Sequence, residues 1–415
     1  MILKIKNLFL KNFFNLSTNQ FINVFFTLLI TPLLFRRIGT EVFGLVTLCF
    51  SIVSLISVFN SYGFNLNSPK DIATNKNNRS FLQILICEIL TIKLIFGFLL
   101  VILFSIIFYV SELFNQNNSI IIFSLIIIFS EAINPFFYFQ GKDQFFNLVI
   151  SNFLFKSIYF ICLLYLIKSD QDAYLVNFLF GLTAIFIYAF YWINIFKNEE
   201  ISFTFINIKN LIVRIKDNFE FMLSSIWGYI SVNSGIIILT GFVSNVELGN
   251  FAVAQKVGFF LRMFPVMVTQ SILQKSAILY KKSEEDLVSY LNNIYKYSIT
   301  VSFFLFLIIS FSSEIIIYIL TKQQIEYSQN ILILLSIVPL LSVLNLKNMI
   351  FILVEDKKRI LNLSTWLSTI FMLISAVILS YKYGGYGLCY SLILTEIINF
   401  MACKILLKLK NNVKT

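Results

Sequence analysis

Lys93, Lys156, Lys256 and Arg262 lie deep inside stretches built almost wholly of Ile, Leu, Phe and Val, while Lys296 and Lys347 stand nearer the ends of theirs. Glu88, Glu131 and Glu396 are acids in the same situation, with Glu220 and Glu314 at the mouths of two further stretches. These residue types in that setting allow two kinds of chemistry. Fixed cations in a low dielectric can hold an anion such as a phosphate or pyrophosphate, and a carboxyl left without a partner can carry a coupling proton. If instead each acid neutralises a base, pairs such as Glu131 with Lys156 on neighbouring helices are structural.

The elements that position these charges follow from composition. The 415 residues are 58% hydrophobic and 13% charged, against roughly 45–50% and about 25% in soluble domains. A water-soluble fold is excluded, and a polytopic membrane protein is implied. With no histidine in the chain, Ser-His-Asp triads, His-ligated zinc or haem and His proton relays are excluded. The five cysteines sit in apolar stretches without CxxC spacing and read as small lipid-phase side chains. A net charge of +11 is explained by membrane topology and anionic lipid rather than by nucleic acid.

A span needs about 20 apolar residues. That measure places twelve near residues 12–35, 42–64, 82–109, 119–139, 147–167, 174–196, 218–240, 250–273, 290–318, 328–353, 360–381 and 386–406. Each must be helical, since lipid offers an unpaired backbone group no partner. Alternate connections hold 21 and 5 of the 32 cations, the rest lying inside spans, which predicts both termini, Lys414 included, on the cytoplasmic side. No small-residue cleavage site follows the first apolar run, so it reads as an uncleaved span.

The longest connection, 197–217, divides the chain into an N-terminal six-helix lobe, 1–196, and a C-terminal six-helix lobe, 218–415. Gly39-Thr-Glu-Val-Phe43-Gly-Leu-Val and Glu247-Leu-Gly249-Asn-Phe251-Ala-Val-Ala occupy matching places in the two halves. Even span counts make such halves parallel repeats related by a pseudo-two-fold along the membrane normal, an arrangement suited to alternating access. At about 1.5 Å per residue, Lys93, Lys156 and Arg262 lie some 14–18 Å from the nearer stated end of their spans, and Lys256 about 9 Å. Depth of that order costs roughly 2.5–3.5 kcal/mol per charge unless the group faces a bundle interior or a wet cavity.

Several motifs then resemble a known family. Asn15-Leu16 with Gln20-Phe-Ile-Asn23, then Pro32-Leu-Leu-Phe-Arg-Arg-Ile-Gly39 and Phe43-Gly44, is similar to the first two spans of Wzx-type polysaccharide-unit flippases of the multidrug/oligosaccharidyl-lipid/polysaccharide (MOP) superfamily. Tyr62-Gly-Phe-Asn-Leu-Asn-Ser-Pro-Lys70-Asp71-Ile-Ala73 with Asn75-Lys76 resembles that family's loop between spans two and three. Pro135-Phe-Phe-Tyr-Phe-Gln140-Gly141-Lys-Asp143 resembles its segment after span four, with Phe137 for the usual Trp and Asp143 for the usual Glu, and Gly249-Asn-Phe251-Ala-Val-Ala-Gln-Lys256 resembles the start of its eighth span. Lys70 and Lys76 replace common arginines, which loses bidentate phosphate geometry.

The resemblance implies an all-α, MATE-like fold of two six-helix lobes with a cationic central cavity, and a transporter rather than an enzyme. It implies movement of an undecaprenyl-pyrophosphate-linked oligosaccharide from the cytoplasmic to the outer leaflet of a bacterial inner membrane, for O-antigen or capsule synthesis. Lys93, Lys156, Lys256 and Arg262 are then expected to hold the pyrophosphate or acidic sugars, with Glu88, Glu131 and Glu396 serving ion coupling or charge pairing. Lys70, Asp71, Gln140 and Gly141 belong to the cytoplasmic motif loops. No cofactor or metal is expected, although a proton or sodium gradient can drive the cycle. The partners implied are the lipid-linked glycan, membrane lipid, a polysaccharide polymerase and a chain-length regulator. The competing readings are a cation-coupled multidrug exporter of the same superfamily and a membrane oligosaccharide polymerase. A polymerase is expected to carry a large arginine-bearing outer loop, and the outward connections here are short.

Overall fold

The computed structural model describes residues 2–110, 118–202, 207–355 and 357–412. Lys414 and parts of the connections expected at 109–118 and 197–217 lie outside the described residues. Among the described residues there are helices and no strands, as lipid solvation requires. Ten helical segments are long and apolar enough to cross a membrane. Two of them, Thr18–Thr74 and Arg359–Leu409, run to 57 and 51 residues. A helix of that length is about 75–85 Å long, far beyond a hydrocarbon core of about 30 Å. Besides the turn at Tyr62 and Gly63 (φ 46° and 71°) in the first, each contains one glycine that breaks an otherwise continuous helix, Gly39 (φ 77°, ψ 168°) and Gly384 (φ 56°, ψ −132°). Positive φ is open to glycine without a Cβ clash, and both helix-breaking glycines fall at or beside connections expected from the sequence.

The chain divides into two compact units, Met1–Ile230 and Ser231–Thr415. The first holds α1 (Ile2–Ser61), α2 (Phe64–Thr74), α3 (Arg79–Val110), α4 (Asn118–Ser124), α5 (Ile126–Ala132), α6 (Phe136–Gly141), α7 (Phe145–Leu166), α8 (Tyr174–Asn198) and most of α9 (Ile208–Leu239). The second holds the end of α9, then α10 (Asn245–Lys282), α11 (Glu284–Thr321), α12 (Glu326–Leu344), α13 (Leu346–Val354) and α14 (Lys358–Asn412).

In the first unit, the expected fourth span is three short helices. Pro135 has no N–H to continue the ladder. The break at 133–135 frees the Ile133 carbonyl, which accepts a hydrogen bond from Trp192 Nε1 at 2.6 Å. Asparagines join neighbouring helices in the same way: Asn60 Nδ2 donates to the Ile128 carbonyl at 2.8 Å, and Asn177 Nδ2 to the Val46 carbonyl at 3.0 Å and Ser124 Oγ at 2.9 Å. Arg37 caps the C-terminal end of α7 by donating to the carbonyls of Leu163, Leu164 and Ile167. Phe64, Ile86, Phe137, Phe139 and Trp192 centre the core, while Phe98, Leu99, Ile102 and Ile106 of α3 stand exposed, as suits a face turned to acyl chains.

In the second unit, Ser244 caps α10 by accepting from the Glu247 N–H at 3.3 Å, so the Glu247–Ala254 motif opens a capped helix. Phe43 and Phe251, which occupy matching motif positions, are both buried. The expected tenth span is α12 and α13, interrupted at Asn345. Ile272, Leu287, Leu291, Leu346 and Ile350 form a core across α10, α11 and α13. Lys347 reaches Asn292 Oδ1 at 2.6 Å and lies over the Tyr295 ring.

Candidate functional site

The first unit contains a partly open cavity of about 500 Å³. Its walls come from α1 (Phe50, Ser54, Ser57, Val58, Ser61), α2 (Asn65, Leu66), α5 (Ile127, Ser130, Glu131), α7 (Phe155), α8 (Phe180, Ala184, Tyr188) and α9 (Ser225, Tyr229). The three phenylalanines pack edge to face, Phe180 lying 5.3 Å from Phe50 and 5.5 Å from Phe155 between centroids. The opposite character comes from serines and tyrosines.

Glu131 is the charged residue of this lining. It sits in the last turn of α5, where the helix dipole disfavours a carboxylate, so its environment must supply compensation. Asn65 Nδ2 donates to Oε1 at 3.3 Å and Asn134 Nδ2 to Oε2 at 3.0 Å. Lys93 Nζ lies 3.9 Å from Oε1, beyond hydrogen-bond reach, and 5.8 Å from the Phe137 ring centroid. The Lys93 side chain is 0% exposed and that of Glu131 23% exposed. The lysine is therefore sealed behind the acid and does not line the cavity. The pairing expected between Glu131 and Lys156 is corrected accordingly, because Glu131 faces α3 and Lys93.

Lys156 Nζ instead meets Asn23 Oδ1 at 2.5 Å, an oxygen that also accepts from Asn152 Nδ2 at 2.8 Å. Asn152 further donates to Asn19 Oδ1 at 2.7 Å. The seam between α1 and α7 is thus a polar ladder whose rungs repeat every four residues on both helices. Phe155, next to Lys156, lines the cavity, whereas Lys156 is not part of its wall.

Glu88 is held by a guanidinium. Arg214 Nε and Nη2 lie 2.9 and 2.8 Å from Glu88 Oε2, and Nη1 lies 3.7 Å from Asp71 Oδ2. With the Glu88 side chain 5% exposed, this three-residue link ties α3, α2 and α9. Asn67 and Asn218 extend it with a 3.1 Å hydrogen bond.

The motif loops, expected on the cytoplasmic side, form a polar corner. Gly141 packs so closely on α2 that a Cβ would fall 2.6 Å from Ile72 Cβ, which accounts for glycine there. Gln140 Oε1 is buried without a hydrogen-bond partner among the described residues. Lys142 pairs with Glu199 at 2.7 Å, Tyr138 donates to the same carboxylate at 2.6 Å, and Lys76 pairs with Asp143. Burial pushes the Glu199 carboxyl up, but the hydrogen bonds from Lys142 and Tyr138 and the Lys142 charge outweigh it and hold it below the ordinary value. Lys70, on the second half of α2, is exposed.

In the second unit, Arg262 of α10 pairs with Glu396 of α14, Nη2 to Oε1 at 3.1 Å. Their side chains are 25% and 12% exposed. Arg262 and Gln255 line a small cleft with Val338 and Leu392. Lys256 precedes Arg262 on the same helix and is half-buried. No group of His, Cys, Asp or Glu among the described residues could hold a metal ion.

Glu88, Glu131 and Glu396 are each charge-paired. Sequence reasoning counted Arg214 only as a cytoplasmic cation and passed over Asn23, Asn65, Asn134 and the cavity serines. The available signal was an amide inside an apolar span, since such a group must find a partner.

The fold is MATE-like. It matches that of an inward-facing multidrug resistance MATE family transporter of the MOP superfamily with a TM-score of 0.66, 12% identity, 94% of this chain and 99% of that one. It matches the lipid II flippase MurJ in an inward closed conformation with a TM-score of 0.69, 17% identity, 94% of this chain and 87% of that one. The family model for polysaccharide biosynthesis proteins matches residues 9–278, and the chain belongs to that family. Among its relatives, a "Putative O-antigen transporter" of Shigella dysenteriae is 24% identical over 383 residues, covering 91% of this chain and 94% of that protein. One of the same name from Escherichia coli (strain K12) is 25% identical over 289 residues, 66% of this chain and 68% of that protein.

Proposed function

We propose that this multi-pass membrane protein is a polysaccharide-unit flippase that moves an undecaprenyl-pyrophosphate-linked oligosaccharide from the cytoplasmic to the outer leaflet by alternating access. The observation that carries the reading is the nearly end-to-end likeness to a protein named as an O-antigen transporter. A polar cavity among apolar helices is the device such a task needs. A glycan headgroup cannot cross hydrocarbon unshielded, and sheltering it lowers the barrier without making or breaking a bond. The long segments broken at Gly39 and Gly384 are read as two crossings each, twelve in all.

Within this reading, Lys156, Lys256 and Arg262 remain the cations for the pyrophosphate, with Lys93 acting through Glu131. For ion coupling Glu131 is the best placed of the three acids. It meets its cation at 3.9 Å and faces a cavity, whereas guanidinium groups hold Glu88 and Glu396 directly.

The test is surface polysaccharide in the source strain. Deleting the gene should remove it, and Lys156→Ala or Arg262→Ala should fail to restore it while inserting at normal levels. Wild-type polymer in both variants would reject the cation assignment. Transport in proteoliposomes that persists after the proton and sodium gradients are collapsed would reject coupling. A cationic-drug exporter is the second reading, favoured by the acidic cavity lining. Normal polymer together with raised drug sensitivity in the deletion strain would establish it instead.

A further inference from the structure

Hydrogen-bond accounting around the first unit's cavity shows which ligands it can satisfy. A serine hydroxyl has one proton and two acceptor lone pairs. Ser57 donates its proton to the Val53 carbonyl at 2.8 Å, Ser61 to Val58 at 3.0 Å, Ser130 to Ile127 at 2.7 Å and Ser225 to Phe221 at 2.9 Å. Each serine proton is thus spent on the serine's own helix, and what remains for a ligand is acceptor lone pairs. Tyr229 likewise donates to the Ser51 carbonyl at 3.3 Å.

Tyr188 also lines the cavity, and its hydroxyl can donate, but the remaining polar groups present acceptors. Glu131 is acceptor-only when ionised, with about four lone-pair positions, and Asn65 and Asn134 occupy two. Asn65 Nδ2 donates to Glu131, and this orientation leaves its Oδ1 over. That oxygen is buried with no hydrogen-bond partner among the described residues, and a buried acceptor left unmet is costly. The donor that could reverse this balance, Lys93 Nζ, has no exposed surface.

We propose that this cavity receives the hydroxyl-rich, phosphate-free sugar portion of the transported unit and excludes its pyrophosphate. The inference rests on the flippase reading and deepens it. Sugar hydroxyls donate to Ser57, Ser61, Ser130, Ser225, Asn65 Oδ1 and Glu131, while a C–H face of the ring packs on Phe50, Phe155 and Phe180. Pyrophosphate brings only acceptors and negative charge to a wall whose polar groups are mostly acceptors and include a carboxylate. The volume of about 500 Å³ falls within the usual small-ligand range of about 300–1,000 Å³. The pyrophosphate must therefore be held by cations outside this cavity.

Saturation-transfer NMR on the full-length protein in nanodiscs tests this, with methyl β-D-glucopyranoside as the neutral sugar probe and inorganic pyrophosphate as competitor. Saturation should pass to the sugar ring protons, and excess pyrophosphate should leave it unchanged. Ser57→Ala with Ser225→Ala should weaken it about fivefold per hydrogen bond lost. Glu131→Gln should weaken it as well, by replacing an acceptor oxygen with a donor. The serine variants keep the result readable if Glu131→Gln folds poorly, because an alanine in place of a helical serine leaves the packing in place. Three results would overturn the proposal: displacement by pyrophosphate, absence of transfer to the wild type, or a signal indifferent to the serines. Tetraphenylphosphonium, a cation without hydrogen-bond donors, should not displace the sugar. If it does, and the serines are irrelevant, the site reads charge alone and the proposal fails. Failure of the flippase reading is separately visible. Surface polymer that survives gene deletion overturns both readings, whereas polymer lost on deletion together with pyrophosphate competition overturns the cavity proposal alone.

Discussion

Each compact unit carries an acid and a base on different helices at depth, and the two pairs are built differently. In the second unit, Arg262 and Glu396 meet directly at 3.1 Å with both side chains partly open. In the first, Lys93 is fully enclosed, 3.9 Å from a carboxylate that two asparagines hold and that shows its free side to a cavity. A guanidinium supplies its own fork of donors and stays weakly hydrated, so it can be a partner in place. Lys93, enclosed and without a hydrogen bond among the described residues, acts on Glu131 only across a gap and leaves the work of contact to Asn65, Asn134 and whatever occupies the cavity. The first pair is thus organised around something outside itself, and the second is complete.

The comparison predicts its largest effect in the first unit. Glu131→Ala strands an enclosed ammonium, and breaking a buried pair from one side costs about 3–5 kcal/mol. The purified variant should unfold at markedly lower temperature, and surface polymer should be lost. Adding Lys93→Met removes the stranded charge and should restore thermal stability without restoring polymer. Recovery of polymer in the double variant would show that the pair is only structural. In the second unit, Arg262→Met leaves Glu396 with partial access to water, so the stability loss should be smaller, about 2 kcal/mol. Arg262→Lys should recover stability more than transport, because a single ammonium cannot reproduce the guanidinium geometry. Equal losses for Glu131→Ala and Arg262→Met would erase the distinction between the pairs.

How much of this the sequence displayed depends on the physical reach of each signal. Apolar run length and the absence of partners in lipid define helices locally, and the expected span edges agree with the helices to within several residues over α3, α7 and α8. Glycine marked the breaks at Gly39 and Gly384 because positive φ selects for it. The buried charges were equally legible, since each interrupts an apolar run. Which charge meets which was not. Pairing depends on helix neighbours and relative depth, so Glu131 and Lys156 looked as plausible together as Glu131 and Lys93. The amides escaped notice because Asn23, Asn65 and Asn134 carry no charge, although they complete the contacts of Lys156 and Glu131. Arg214 was misjudged for the opposite reason: its place beside a cytoplasmic connection fitted topology so well that its partner, Glu88, was not sought.

The corner formed by the motif loops extends the comparison to a place where side chains are more exposed. Gly141→Ala would set a Cβ 2.6 Å from Ile72, and overpacking of that kind costs about 1–3 kcal/mol. Thermal unfolding should register it, with Gly141→Ala falling between the Arg262 variants and wild type. The Gly141→Ala penalty should shrink in an Ile72→Gly background, which removes both clashing carbons and would assign the loss to that contact; an unchanged penalty would place its origin elsewhere.

The smallest effect should be the pH response of the same corner. Lys142 and Tyr138 hold the Glu199 carboxyl below its ordinary value of 4.5 despite burial. A carboxyl lowered by folding contributes stability that is fully present above the ordinary value and is lost as pH falls through the lowered folded value. Neutral and mildly acidic media should therefore leave the corner intact, and loosening should begin only below about pH 4.5. Because the group is partly exposed, water and salt screen the interaction, and its contribution should stay within about 1 kcal/mol. Thermal unfolding of the purified protein between mildly and strongly acidic pH measures it. Wild type should lose stability more steeply than Glu199→Gln on that descent, and the difference should shrink in high salt. Parallel slopes would mean that the Lys142–Glu199 pair contributes nothing measurable. The contrast would then run only between the two buried pairs, one sealed behind a cavity and one closed upon itself.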